Sequence, residues 1–188
     1  MVPNAPVHSM TSRVLSCITP RLFSLALILL ATLAATPTRD DQNTGLPPLE
    51  SDELTARAAQ LFDAIKTGRP ELGLPFFFPR EPFLALKDVD DPGKYHAELV
   101  RAYRQNIRDL HVARRGWDDA VFRGFELAVK PKPKRVPPGR EWNKIGYFRT
   151  IGAKLKYEVG GRQRFIEVHT LISWDGRWYV THLAQLRR

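Results

Sequence analysis

The sequence predicts an α+β domain in which N-terminal helices pack on a curved, mainly antiparallel sheet of about four strands. Three observations lead there. Apolar residues recur at helical spacing through 52–67 and 92–110, then switch from Asp119 onward to the alternation of a strand. Helical segments come first and extended ones follow, the order of an α+β rather than an α/β chain. Two dipeptides, Gly160-Gly161 and Asp175-Gly176, are hairpin turns, because such turns favour residues that tolerate positive φ.

The 188 residues suit one domain, and with 43% hydrophobic and 26% charged residues the chain can bury a core. Arg13 and Arg21 precede an uncharged stretch, 22–35, that ends in Ala31-Thr32-Leu33-Ala34-Ala35. A basic start, an apolar run of about 7–15 residues and small residues at its end make 1–35 a secretory signal peptide. A membrane-spanning helix needs about 20 apolar residues, and Arg39, Asp40 and Asp41 close this window too soon. An uncleaved anchor is the alternative. The expected location is therefore periplasmic or extracellular, which disfavours nucleic acid as a partner. The only cysteine, Cys17, lies in the signal segment, so a processed chain has no disulfide and no thiol nucleophile. That segment holds two arginines and no acid, leaving 27 cations against 20 acids in the rest. Residues 36–50 carry Pro37, Gly45, Pro47 and Pro48 with mixed charge and read as a flexible linker. The single folded domain is 51–188.

Ser51 caps the first helix, whose first turn carries Asp52 and Glu53, the charges that suit a helix N-terminus. Leu54, Ala58, Leu61, Phe62 and Ile65 form its apolar stripe, and Gly68 and Pro70 stop it. Residues 72–88 are too rich in proline for a long helix or a central strand. They read as a buried loop with a short helical or extended piece, in which Phe76, Phe77, Phe78 and Phe83 plug one end of the core. Asp91-Pro92 opens the second helix, and Tyr95, Leu99, Tyr103, Ile107 and Leu110 line its buried face. Lys94, Glu98, Arg101, Arg104 and Arg108 form its solvated face.

The first strand covers about 121–129. Residues 130–140 follow, with four prolines that keep the stretch out of a sheet interior. Three more strands cover about 142–159, 163–173 and 177–185. The two turns fix their register. Across the first hairpin Leu155 faces Ile166, Ala153 faces Val168, and Lys154 faces Glu167. Across the second, Ile172 faces Tyr179, Val168 faces Leu183, and His169 faces His182. A slip of one residue would turn the apolar set to the wrong side, so the register is well specified.

A long helix, the segment Phe76-Phe77-Phe78-Pro79-Arg80-Glu81-Pro82-Phe83, a second long helix and strands closing in Trp174-Asp175-Gly176-Arg177-Trp178-Tyr179-Val180 resemble the NTF2-like (cystatin-like cone) superfamily. The resemblance covers 51–188 in element order and the last 15 residues or so in sequence character. It implies a curved sheet wrapped around helices to form a cone. It also implies either a small-molecule isomerase or dehydratase or a binding module, and fold alone does not choose between them. The inward face offers Tyr157, Thr170, Tyr179 and Thr181 but no acid or histidine, so no catalytic residue carries over from the superfamily.

Candidate chemistry is sparse. His169 and His182, with Glu167 along the same face, form a candidate proton relay or an open metal site, since two imidazoles and a carboxylate suit either role. Surface or structural histidines are the plainer alternative. Asp118 and Asp119 fit a turn better than a carboxylate pair, because adjacent side chains point apart in extended chain. The sequence holds no glycine-rich phosphate loop and no nucleophile elbow, and no cofactor is expected. Lys130, Lys132, Lys134 and Arg135 project from the proline-held stretch as a candidate anionic-surface contact, with Trp142 beside them. Leu171, Trp178 and Val180 fall on the outer sheet face, a candidate homodimer surface. The leading expectation is an exported, non-catalytic module for a small ligand or a protein partner. An isomerase or hydrolase using the histidine pair, and an adaptor for anionic surfaces, are the alternatives.

Overall fold

The computed structural model describes Asn43, residues 45–128 and residues 130–183. The expected signal peptide, most of the linker and the end of the last strand lie outside the described residues. Within them are helices α1 (Asp52–Thr67), α2 (Arg80–Leu86) and α3 (Pro92–Ala113), with a 3₁₀ helix (Pro70–Phe76) after α1. Five strands form one sheet: β1 (Val121–Glu126), β2 (Lys134–Val136), β3 (Tyr147–Val159), β4 (Arg162–Trp174) and β5 (Arg177–His182). This is an α+β architecture. No described helix is long and apolar enough to cross a membrane.

Local chemistry sets the helix ends. Ser51 Oγ accepts from Leu54 N at 3.1 Å, and Gly68, at φ 67°, returns its N–H to Ala64 and Ile65. Asp91 Oδ1 accepts from Lys94 N at 2.8 Å, and Pro92 fills the first position of α3. The proline-rich segment buries Phe76, Phe77, Phe78 and Phe83 as expected, and all four are at most 4% exposed. Phe77 packs on Tyr103 and His96, while Phe78 meets Trp174 and Tyr179 edge-on. The buried Arg57 guanidinium lies 4.6 Å from the Tyr179 ring centre and 5.2 Å from that of Phe76, with Nε 3.0 Å from Glu53. Its cation thereby keeps favourable contacts inside the core.

The sheet order is β1-β3-β4-β5, every pair antiparallel. β2 shares the β1 edge of β3: β1 pairs with Lys154 to Glu158, and β2 with Tyr147 to Arg149. The first hairpin has the expected register throughout, with Leu155 opposite Ile166, Ala153 opposite Val168 and Lys154 opposite Glu167. Ala153, Leu155, Ile166 and Val168 are all buried to within 1%.

Four expectations are corrected. In the second hairpin, Ile172 faces Tyr179 and Leu171 faces Val180 as the turn requires, but the register then shifts, so that Thr170 faces His182. Thr181 is the extra residue of a bulge. His169 and His182 are therefore not opposite each other, and the His169 amide reaches Leu183 O, at 3.3 Å, in place of the expected Val168–Leu183 pairing. The proline-held stretch is not a projecting arm throughout. Lys134–Val136 is an edge strand, the position in a sheet that tolerates flanking prolines, and this raises the strand count to five. Residues 142–146, expected at the start of β3, lie outside the strand, with Asn143 in an isolated antiparallel bridge to Lys87. Finally, Leu171, Val180 and Trp178 are 0%, 0% and 2% exposed, so they offer no open face for a dimer. Part of the expected linker docks on this side. The Asn43 amide donates to Gly146 O at 2.7 Å, Arg135 donates to Asn43 O at 2.8 Å, and Trp178 Nε1 donates to Pro48 O at 3.0 Å.

Candidate functional site

A cavity of about 390 Å³ opens between the helices and the sheet, within the usual size range of small-molecule sites, roughly 300–1,000 Å³. The helical side supplies Phe83, Lys87, Val89, Tyr95 and Leu99. The sheet supplies Tyr147, Arg149 and Ile151 from β3, His169, Thr170 and Ile172 from β4, and Thr181 and His182 from β5. Glu141 and Trp142 complete the wall. Phe76, Phe77 and Phe78 fill the core without filling this space.

Backbone irregularity creates the histidine wall. Gly152 of β3 sits at φ 81° beside the position of His169, and β5 carries its bulge at Thr181. In an unbroken ladder, successive residues point to opposite faces. Here the successive residues Thr181 and His182 both line the cavity, as do His169 and Thr170. Bulges re-aim side chains in this way. His169 Nδ1 lies 2.7 Å from Thr170 Oγ1, and His182 Nδ1 lies 3.1 Å from Thr181 Oγ1. The adjacent threonine thus engages each Nδ1, and Nε2 is the nitrogen offered to a ligand. Burial, then the neighbouring His169 and Lys87, holds the His182 pKa below its ordinary value.

The opposite wall is an anchored loop. Glu141 and Trp142 both sit at φ 53°, the left-handed region, which costs about 1–2 kcal/mol per non-glycine residue. Bonds to the end of α2 hold them there. Asp88 N donates to Trp142 O and Lys144 N to Leu86 O, each at 2.8 Å, and Lys144 Nζ lies 3.6 Å from Asp88. The Glu141 carboxylate accepts from the Tyr147 hydroxyl at 2.7 Å and from Arg149. Lys87 Nζ donates to Glu141 O at 3.1 Å and to Asn143 Oδ1 at 3.3 Å. Burial lowers the Lys87 pKa, and the Glu141 charge opposes that shift. Burial also raises the pKa of Tyr147, with help from Glu141. Trp142 remains 75% exposed.

The structure brings His169, His182, Thr170 and Thr181 together but leaves Glu167 out. Glu167 is exposed and outside the cavity lining, because strand alternation sends it to the outer face beside Lys154. Among the described residues, no group of three histidine, cysteine or acidic side chains could hold a metal ion. His96 and His111 have structural roles. His96 Nε2 lies 2.9 Å from Phe78 O, and His111 Nδ1 lies 3.0 Å from Ile65 O. Tyr157 and Tyr179 are core residues, packed on Phe62 and Phe78. Asp118 and Asp119 are exposed in a turn. Lys130, Lys132 and Lys134 are exposed, whereas Arg135 lies over Phe148, 5.7 Å from its ring centre, and bonds to Asn43 O.

Sequence reasoning missed Lys87, Glu141, Tyr147 and Arg149. The available signal was a glutamate and a tryptophan at the end of a proline-rich stretch, just where a strand was expected to begin at Trp142. Together, fold and cavity define an α+β protein with an aromatic pocket, one polar wall and no described metal cluster. Compared with known proteins, the chain matches no family model, no curated protein and no solved structure.

Proposed function

We propose that this is an exported module of NTF2-like type that holds a small amphipathic molecule in the cavity without transforming it. One observation carries the proposal: an open cavity whose helical wall is aromatic and aliphatic around the single charge of Lys87 and whose sheet wall presents hydroxyl and imidazole groups. Such a split between apolar lining and a few polar groups is typical of ligand sites. Export rests on the N-terminal segment 1–35 and its basic, apolar and small-residue pattern. Ile151 lines the cavity and is 38% exposed, so a larger side chain there fills space without disturbing the core. Nile red, a neutral apolar dye, is expected to brighten with the native chain and not with Ile151→Trp. Equal brightening in the two, with both folded by circular dichroism, would refute binding in this cavity.

A second reading, an isomerase or hydrolase, is favoured by the convergence of His169 and His182 on the same cavity. In that reading the neutral His182 imidazole acts as a general base through Nε2. Saturable hydrolysis of nitrophenyl esters, lost in both His169→Gln and His182→Gln, would select it over simple binding.

A further inference from the structure

Building on the binding function above, we propose that the ligand is a small amphipathic carboxylate whose head group pairs with Lys87 and whose apolar body lies under Trp142.

Charge is the first ground. Two cations, Lys87 and Arg149, and one acid, Glu141, line the cavity. Arg149 and the Tyr147 hydroxyl both engage the Glu141 carboxylate, so that acid and that guanidinium satisfy each other. Lys87 is different. Its bonds go to two neutral acceptors, the Glu141 carbonyl and Asn143 Oδ1, and it makes no ion pair among the described residues. The one acid of the lining feels the Lys87 charge but is bonded to Arg149 and Tyr147, so two cations face one acid and an anion entering the cavity meets a half-buried ammonium with no direct ion pair.

The geometry of the remaining lining sets the shape. Thr170 and Thr181 place hydroxyls, and His169 and His182 place ring nitrogens, on the sheet side. After its internal bond the Thr170–His169 pair keeps one proton for a carboxylate oxygen, while the Thr181 hydroxyl donates to Thr170 O at 3.4 Å, and none of these groups adds a competing negative charge. Phe83, Tyr95, Leu99 and Ile172 form the apolar side and suit an alkyl or aryl body. The backbone of Trp142, held in the left-handed region, presents the indole in the wall of the cavity rather than in the core, where Trp117 and Trp178 go. An aromatic plane held at a cavity wall is a surface for an apolar ligand to pack on. A carboxylate fits the single cation better than a phosphate dianion, which calls for more positive charge.

Isothermal titration of the full chain with octanoate, octanol and octylamine tests the head group, because the three share one alkyl body. Octanoate is expected to bind about 10- to 100-fold more tightly than octanol, the range for one charge-assisted bond, with octylamine weakest. Lys87→Met should remove that preference, whereas Lys87→Arg should keep it. Trp142→Ala should weaken octanoate and octanol alike. If octanol matches octanoate, or Lys87→Met keeps the preference, the carboxylate assignment is wrong while cavity binding stands. Octanoate binding that survives in Ile151→Trp lies elsewhere and overturns the assignment. If none of the three binds, the binding function falls with it. Should Lys87→Met not fold, the octanoate–octanol ratio of the native chain and the Lys87→Arg result still decide the matter.

Discussion

Glu141 and Trp142 show how single residues are placed against their own preferences. Neither is glycine, yet both take left-handed backbone angles, because the Glu141 carboxylate is gripped by Tyr147 and Arg149 and the Trp142 carbonyl accepts from Asp88 N. Such residues persist where the surroundings over-determine them, and they concentrate at functional sites. His182 belongs to the same scale. Its folded pKa lies below the ordinary value of 6.5, owing first to burial and then to His169 and Lys87. As the pH falls, the unfolded chain takes up this proton before the folded chain does. The stability His182 contributes is therefore complete above about pH 6.5 and is lost on acidification from there to the folded-state pKa. Denaturant midpoints of the native chain should decline across that window. Those of His182→Gln should be flatter, and parallel curves would mean that His182 does not titrate this way.

At the scale of elements, the β3–β4 hairpin is the best-specified piece. Gly160 and Gly161 have positive φ, as the turn demands, and the pairing runs without a break in register from Val159 opposite Arg162 to Arg149 opposite Ile172. Leu155 is fully buried, while Phe165 on the outer face is 52% exposed. Leu155→Ala should cost about 2–5 kcal/mol in urea denaturation, and Phe165→Ala less than about 1. Comparable costs would mean that the faces are misassigned. The second hairpin obeys its turn for only four residue pairs before the bulge at Thr181. Nothing in the local pattern marks that bulge, since Thr181 is an ordinary strand residue. The histidine pair inferred from a regular ladder was therefore wrong in its pairing and in its face, since the two side chains line the cavity rather than the outer face with Glu167.

For the whole molecule, residues 43–48 matter more than a linker should. Asn43 bridges Gly146 and Arg135, and Pro48 accepts from Trp178, whose side chain is 2% exposed. A chain starting at Ser51 should therefore lose about 1–3 kcal/mol relative to one starting at residue 36, the cost of a buried donor left without its partner. It should also show greater acrylamide quenching of tryptophan. Unchanged stability would mean that this segment merely lies on the surface. Burial of Leu171, Val180 and Trp178 likewise follows from the assembled chain. Alternation along β4 and β5 places them on the outer face, but says nothing of what covers it.

The sequence by itself determined the α+β class, both long helices with their caps, the buried phenylalanine segment and the register of β3 with β4. Each depends on interactions within a few residues or on a turn that dictates its flanking pairs. Only the tertiary structure decided the cavity. Lys87, Glu141, Arg149, His169 and His182 come from five separate stretches of chain, and what unites them is a bulge, a glycine bend and a loop clipped to α2. Those features form because buried polar groups must find partners across the fold, a requirement that no local pattern encodes.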